Sequence, residues 1–411
     1  MRIVDSLNFR HKPIVLSLLT VAVVILIGIS TGSGDSGPET VTSLIGAEDS
    51  ILVVDPQGSI IIAKNDTQKL IPASILKIFT SLVALHYLGP DHRFQTDFFF
   101  DNDANLKIKG YGDPRLTSEI VREISRLLAA LIGKATIIND LIVDDSYFSQ
   151  PLTIPGISSS SQPYDAPNGA LCVNFNTVYF KHTQSGYISA EPQTPLLPYA
   201  EKIIIARNEK DGRIALSHVN RENTIYAGKL FEYFLKQEGV QFRGNVKHGR
   251  VNNAHDTLIF RYPSRLTLAE IISGLLEHSN NFTTNQLLIS AGIKAYGPPG
   301  NLEKGVEAAR AYAVKELAIE DMTIAEGSGI SRQNKVSASQ MMRVLEAFEP
   351  NYVLLRQKNR DFYKTGTLQG ISTRAGFIAS RNGGKYRYVI MINTAGKSTR
   401  PVMRQLLKEL E

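Results

Sequence analysis

Ser74 and Lys77 stand three residues apart in "PASILKIFTSLVAL", residues 72–85, an apolar run with a single cation inside it. Residues at that spacing share one face of a helix, which places a hydroxyl against an amine. A serine hydroxyl is a weak nucleophile until a neighbouring base takes its proton. An amine serves as that base only when uncharged, and burial among apolar neighbours lowers a lysine from its reference value of about 10.4. A plainer account fits the same pair: Lys77 lays its stem over apolar surface with its charge in water, and Ser74 is a small first-turn residue. The stretch alone does not separate the two, because Ser-x-x-Lys pairs arise by chance in a chain of 411 residues.

The elements that must hold these residues can be read from spacing. Ile75, Leu76, Ile78, Phe79, Leu82, Val83 and Leu85 recur at helical intervals, Pro72 stands where a first turn tolerates it, and Gly89-Pro90 ends the run. Residues 50 to 64 read as two strands around a turn at Asp55 to Gly58. After Pro90 come short strands, an amphipathic helix near 117–133, a Ser/Pro/Gly-rich loop at 149–169, a helix at about 226–238 and a strand pair through 241–261. From Leu266 helices dominate, and the carboxyl end gives two strands, "TRAGFIAS" and "KYRYVIMINT", with a final helix after Pro401. The expected architecture is α/β: residues 34–90 and 263–411 close on each other as one unit, with 91–262 inserted as a β-rich region.

Composition narrows the class. Charged residues at 20% and hydrophobic ones at 43% describe a globular chain, not a disordered one. A net charge of +6 suits an anionic wall or membrane surface, while the lack of a dense Lys/Arg block argues against a nucleic-acid partner. The single Cys172 excludes an intramolecular disulfide and reads as a buried, inert thiol. None of the eight histidines falls in an HExxH or Cys/His pattern, so neither metal nor other cofactor is expected. Arg2, Arg10, His11 and Lys12 precede an apolar segment at 13–30, whose length lies between a signal-peptide core and a short spanning helix. Residues 1–33 are thus a signal anchor or a signal peptide. Either way the rest is exported to the periplasm or the outer face of the cytoplasmic membrane, and touches the membrane if the segment is uncleaved. Gly34-Asp35-Ser36-Gly37 matches a trypsin-like nucleophile signature, but a Gly/Ser linker cannot form the packed turn such a serine needs.

Two further motifs fall in the outer parts: Ser279-Asn280-Asn281 at a boundary between helices, and Lys364-Thr365-Gly366 at the head of an edge-type strand. Ser-x-x-Lys, Ser-x-Asn and Lys-Thr-Gly in that order are the signature of penicillin-binding proteins and β-lactamases. With "GYGDPRL", "VDDSYF", "YDAPNGALCVNFN", "EGSGISRQNKVSA" and "KTGTLQGISTRAGF", the chain resembles the D-alanyl-D-alanine carboxypeptidase/endopeptidase group of low-molecular-mass, class C penicillin-binding proteins over nearly everything after residue 50. The stretch between Lys77 and Ser279 is far longer than a β-lactamase leaves, and this family fills it with inserted domains. Asn280 stands where Asp is frequent, and Cys172 where Ser is frequent.

The resemblance implies a penicillin-binding-protein/β-lactamase-like transpeptidase fold, and peptidoglycan stem peptides and β-lactam antibiotics as partners. It makes Ser74 the nucleophile and Lys77 its base, with Ser279 relaying a proton to the leaving nitrogen and Asn281 holding Lys77 and the substrate amide. Lys364 draws the substrate carboxylate and lowers Lys77, Thr365 offers that carboxylate a hydroxyl, and Gly366 allows close approach. The backbone N–H groups of Ser74 and Thr367 form the oxyanion hole. A β-lactamase-like hydrolase and a catalytically silent wall-binding protein are the alternatives. Other tempting residues are set aside. Gly396-Lys397-Ser398-Thr399 lacks the earlier glycine of a phosphate loop, Met391 standing there, and His278 reads as a surface or packing residue. Asp113 and Asp144-Asp145 read as turn and hydrogen-bonding residues, and Ser328 as shaping a loop near the site.

Overall fold

The computed structural model describes residues 40–410 apart from 159, 218 and 382, so the reading of residues 1–33 and of Gly34-Asp35-Ser36-Gly37 lies outside the described residues. β1 (Asp49–Val54) and β2 (Ile60–Lys64) form the expected hairpin. Asp55 closes it by accepting at Oδ1 from the N–H groups of Gln57 and Ser59. A single 3-10 turn, Ala73–Ile75, feeds α1 (Leu76–Leu88), which stops at Gly89 with φ of 86°.

The chain then builds a second body from β3 (Gln95–Phe100), β4 (Leu106–Gly110), α2 (Ser118–Ile132), β5 (Ile137–Ile138), β6 (Leu141–Asp144), β7 (Thr177–Thr183), β8 (Gly186–Ser189), α3 (Pro198–Ala206), β9 (Gly212–Ala215), α4 (Glu222–Gln237), β10 (Gln241–Phe242), β11 (Val246–His248) and β12 (Thr257–Pro263). Its main sheet runs β11-β6-β4-β3-β12. Phe98 of that sheet packs with Leu128 of α2 and Phe231 of α4 in one apolar core.

Helices α5 (Leu268–His278), α6 (Asn281–Tyr296), α7 (Leu302–Leu317) and α8 (Ala338–Phe348) return the chain to the first body. It is completed by β13 (Arg356–Lys358), β14 (Asp361–Leu368), β15 (Ile371–Ala379), β16 (Lys385–Ile392) and α9 (Thr399–Glu409). β16 pairs antiparallel with β1, Ile390 opposite Ile51, giving a six-stranded sheet of order β13-β14-β15-β16-β1-β2. As an inner strand β1 is buried on both faces and shows no polar alternation. Leu52 and Val54 enter the core under α1 and α8, while Ile51 and Val53 meet Leu406 of α9 on the other side.

Three boundaries and two helices differ from the sequence reading. α4 begins at Glu222, because its polar first turn is held by the Glu222–Arg207 pair that hydrophobic spacing does not register. α3 and α8 were not singled out, although Ser337 and Gln340 form a capping box at the start of α8. The last helix starts before Pro401, which its first turn accommodates. Lys364 lies inside β14 and not at its head, since the strand already begins at the buried Asp361, which accepts from Tyr388 at 2.8 Å and pairs with Arg374.

α6, which carries Asn281, packs backbone-close on α7 through Gly292 and Gly305, where a Cβ on Gly292 would overlap the Gly305 backbone. Gly292→Ala is therefore expected to destabilise the fold by about 1–3 kcal/mol through overpacking, although alanine is the better helix former. Urea unfolding reads this directly, and an unchanged or raised midpoint would refute the close packing.

Candidate active site

Three segments converge on the turn that opens α1. Ala73, a non-glycine residue in the left-handed region at φ of 47°, swings Ser74 to the head of the helix. Gly329 and Gly366 press in from either side. A Cβ on Gly329 would overlap the Ala73 carbonyl, and one on Gly366 would lie 2.6 Å from the Ser74 nitrogen. Thr373 of β15 donates to the Pro72 carbonyl at 2.7 Å and ties the sheet to the same turn.

Lys77 is fully buried. Its Nζ lies 2.9 Å from Ser74 Oγ, 2.8 Å from Asn281 Oδ1 and 2.6 Å from the Ser328 carbonyl. Burial, reinforced by the nearby Lys364 charge and opposed by Glu326, lowers Lys77 to about 7. Lys364, 3% exposed on β14, is itself lowered to about 8 by burial and by Arg356, with Glu277 acting the other way. Its ammonium donates to the Thr365 carbonyl at 2.7 Å. β13 pairs only with residues 361–363 of β14, so among the described residues no strand covers the outer edge at 364–368. Such an edge offers backbone hydrogen bonds to an extended peptide.

The Ser279-Asn280-Asn281 stretch is a chain reversal. Ser279 ends α5 in the left-handed region at φ of 57°, and Asn280 caps α6 by accepting from the Thr283 N–H at 2.7 Å. Asn281 thereby occupies the first turn of α6 and reaches Lys77. Ser279, Asn281 and Phe282 line a cleft of about 460 Å³ whose opposite wall, with Thr117, Phe175 and Arg213, comes from the second body. The structure thus joins Ser74, Lys77 and Asn281 by direct hydrogen bonds. It sets Lys364 close enough to act on Lys77 by charge and puts Gly366 against the Ser74 backbone. Thr365 and Thr367 flank Gly366 on the open edge, and Ser279 sits on the cleft wall.

Ser328 does more than shape a loop, since its carbonyl is an acceptor for Lys77. Glu326 was not singled out at all, although "EGSGIS" with its two glycines marks a backbone held close to something. The residues set aside have structural partners. Asp113 takes the Arg115 N–H and is raised to about 6 by burial, Asp144 takes the Ser146 N–H, and Asp145 takes the Thr224 hydroxyl and His248 Nε2. Cys172 is buried beside the Gly169 carbonyl, and burial pushes its thiol up, away from reactivity. Among the described residues no three His, Cys, Asp or Glu side chains are grouped as a metal site.

A serine opposite a desolvated lysine, on an α/β sheet with a cationic open edge, sets a nucleophile beside a base able to take its proton. The chain belongs to the D-Ala-D-Ala carboxypeptidase 3 (S13) family, whose model matches residues 40–218 and 207–357. It is 26% identical over 351 residues to a D-alanyl-D-alanine carboxypeptidase of Actinomadura sp., a match taking in 74% of this chain and 65%, just under two thirds, of that relative. It is 24% identical over 403 residues to D-alanyl-D-alanine carboxypeptidase DacB of Haemophilus influenzae, covering 82% of this chain and 83% of the relative. The fold is similar to that of penicillin-binding protein 4 from H. influenzae, with a TM-score of 0.72 at 21% identity over 90% of this chain and 98% of that one. A penicillin G-acylated predatory endopeptidase from Bdellovibrio bacteriovorus is more distant, with a TM-score of 0.51 at 17% identity over 88% and 90% of the two chains.

The two lowered lysines predict the pH dependence of acylation at Ser74. The base works unprotonated, so the rate rises as pH increases through about 7, and the cation at Lys364 is lost above about 8. A bell with its summit between these values is the expected outcome for an activated acyl donor. A rate that stays flat through the lower value rules out Lys77 as the base.

Proposed function

We propose that this protein is a serine D-Ala-D-Ala carboxypeptidase and endopeptidase acting on peptidoglycan stem peptides, and that β-lactams acylate the same serine. The observation that carries this reading is the buried Lys77 amine held between Ser74 and Asn281. The substrate's terminal carboxylate meets Lys364 and the Thr365 hydroxyl, with the peptide laid along the open edge of β14. Ser74 Oγ attacks the penultimate carbonyl carbon while its proton passes to Lys77 Nζ, and the N–H groups of Ser74 and Thr367 take the developing oxyanion. Collapse breaks the C–N bond. The leaving D-alanine nitrogen takes a proton through Ser279, and water then cleaves the ester to free Ser74. Asn281 keeps Lys77 and the substrate amide in register throughout.

Support comes from the family and from its relatives: two are D-alanyl-D-alanine carboxypeptidases, and one endopeptidase neighbour is acylated by penicillin G. The same reading assigns residues 34–90 and 263–411 to the catalytic part and 91–262 to an insertion that walls the cleft. It places the protein outside the cytoplasm, in the periplasm or on the outer face of the membrane, anchored there if residues 1–33 are retained.

Incubation of the full-length protein with fluorescent penicillin, then with a stem pentapeptide and a cross-linked dimer, tests the proposal. Ser74→Ala is expected to lose labelling and to release D-alanine at less than about a thousandth of the parent rate. Labelling that survives the substitution means another nucleophile.

A further inference from the structure

Glu326 has no exposed surface. Its Oε1 accepts from the N–H groups of Gly329 at 2.6 Å and Ser331 at 3.3 Å and from Asn334 Nδ2 at 2.7 Å. Its Oε2 accepts from Ser328 N–H at 2.7 Å, Ser328 Oγ at 2.6 Å and Asn285 Nδ2 at 3.0 Å. All six partners are donors, an environment that suits a carboxylate and leaves a neutral amide or acid with opposed hydrogens. One side chain thus folds the loop after α7 around itself. Asn285 Oδ1, taking the Gly327 N–H at 2.8 Å, and Thr80 Oγ1, donating to the Gly327 carbonyl at 2.7 Å, fasten that loop to α6 and α1.

From this geometry we infer that Glu326 is a positioning residue for catalysis, fixing the Ser328 carbonyl so that the Lys77 amine keeps its lone pair on Ser74. The inference rests on the acyl-enzyme reading above. A neutral amine has two N–H bonds and one lone pair. The Asn281 Oδ1 and the Ser328 carbonyl only accept, so they consume both N–H bonds, and the third direction, toward Ser74 Oγ, is the lone pair. Without the Ser328 carbonyl in place, an N–H is free to turn toward Ser74, and the base faces its substrate proton with a proton of its own.

Glu326 also supplies charge. The charged groups acting on Lys77 are Lys364 from β14 and Glu326 from the loop, opposite in effect. The side chains that touch its amine, Ser74 of the turn before α1 and Asn281 of α6, are uncharged. Arg356 from β13 and Glu277 from α5 act on Lys364. Glu326 therefore keeps Lys77 from falling further, so that the amine can still hold the proton it must pass on.

The test is the second-order rate of acylation by fluorescent penicillin, followed against pH in the full-length parent, Glu326→Gln and Glu326→Asp, with thermal melts alongside. Glu326→Gln is expected to lower the plateau about a hundredfold, the cost of a misplaced reacting group. Its acid limb is expected to move about one unit to lower pH, because the anion that favours the ammonium is gone. Glu326→Asp keeps the charge but retracts the carboxylate, so its limb stays in place while the plateau falls at least about tenfold without a matching loss of thermal stability. A parent-like plateau in folded Glu326→Gln overturns the inference. If that variant does not fold, a parent-like plateau in folded Glu326→Asp overturns it instead. Labelling retained in Ser74→Ala removes the acyl-enzyme reading and this inference with it, whereas a parent-like plateau in the Glu326 variants with Ser74→Ala inactive removes this inference alone.

Discussion

An amine taken out of water and surrounded by acceptors is the constraint from which the rest of this site follows. Left in solvent, Lys77 would stay an ammonium at neutral pH and could take nothing from Ser74. Burial strips its proton, and Lys364 adds to the effect. That state is costly. Between about 7 and the reference value of 10.5 the unfolded chain holds a proton that the folded chain has shed, so stability rises with pH across that window and is lowest on its acid side. The surrounding apolar core, with Phe79, Leu288 and Val336 among its residues, offsets the cost.

Much of the scaffold was readable because it obeys periodicity. α1 carries apolar residues at helical spacing, and β15 and β16, though inner strands with long buried runs, are joined by a Gly-Gly turn that marks the hairpin. Ser74, Lys77, Asn281 and Lys364 were readable for another reason. They carry side chains whose chemistry is distinctive, and their order along the chain is a known signature. What escaped was work done by backbone. The Ser328 carbonyl is an atom every residue owns, so no residue type announces it. Glu326 acts on that backbone and not on substrate, and a lone glutamate in a loop looks like ordinary surface until burial and six donors are seen.

The cleft shows how the second body bears on the first. α6 is gripped from both sides. Gln286 donates to the Gly112 and Gly169 carbonyls, and Asn168 donates to the Phe282 carbonyl. Apolar residues Phe148, Leu152 and Ala170 pack on Ile289 and Ile293 of the same helix. The helix that presents Asn281 to Lys77 is thus held in place partly by residues from 112–170. Those residues serve the chemistry without touching it.

The pairing of β1 with β16 brings together stretches from opposite ends of the described chain. Ser74 follows β2 in the chain and Lys364 lies in β14, so the hydroxyl and the cation come together only once the early and late strands of this sheet have paired. A nascent or carboxyl-truncated chain therefore carries the hydroxyl without the strand that complements it.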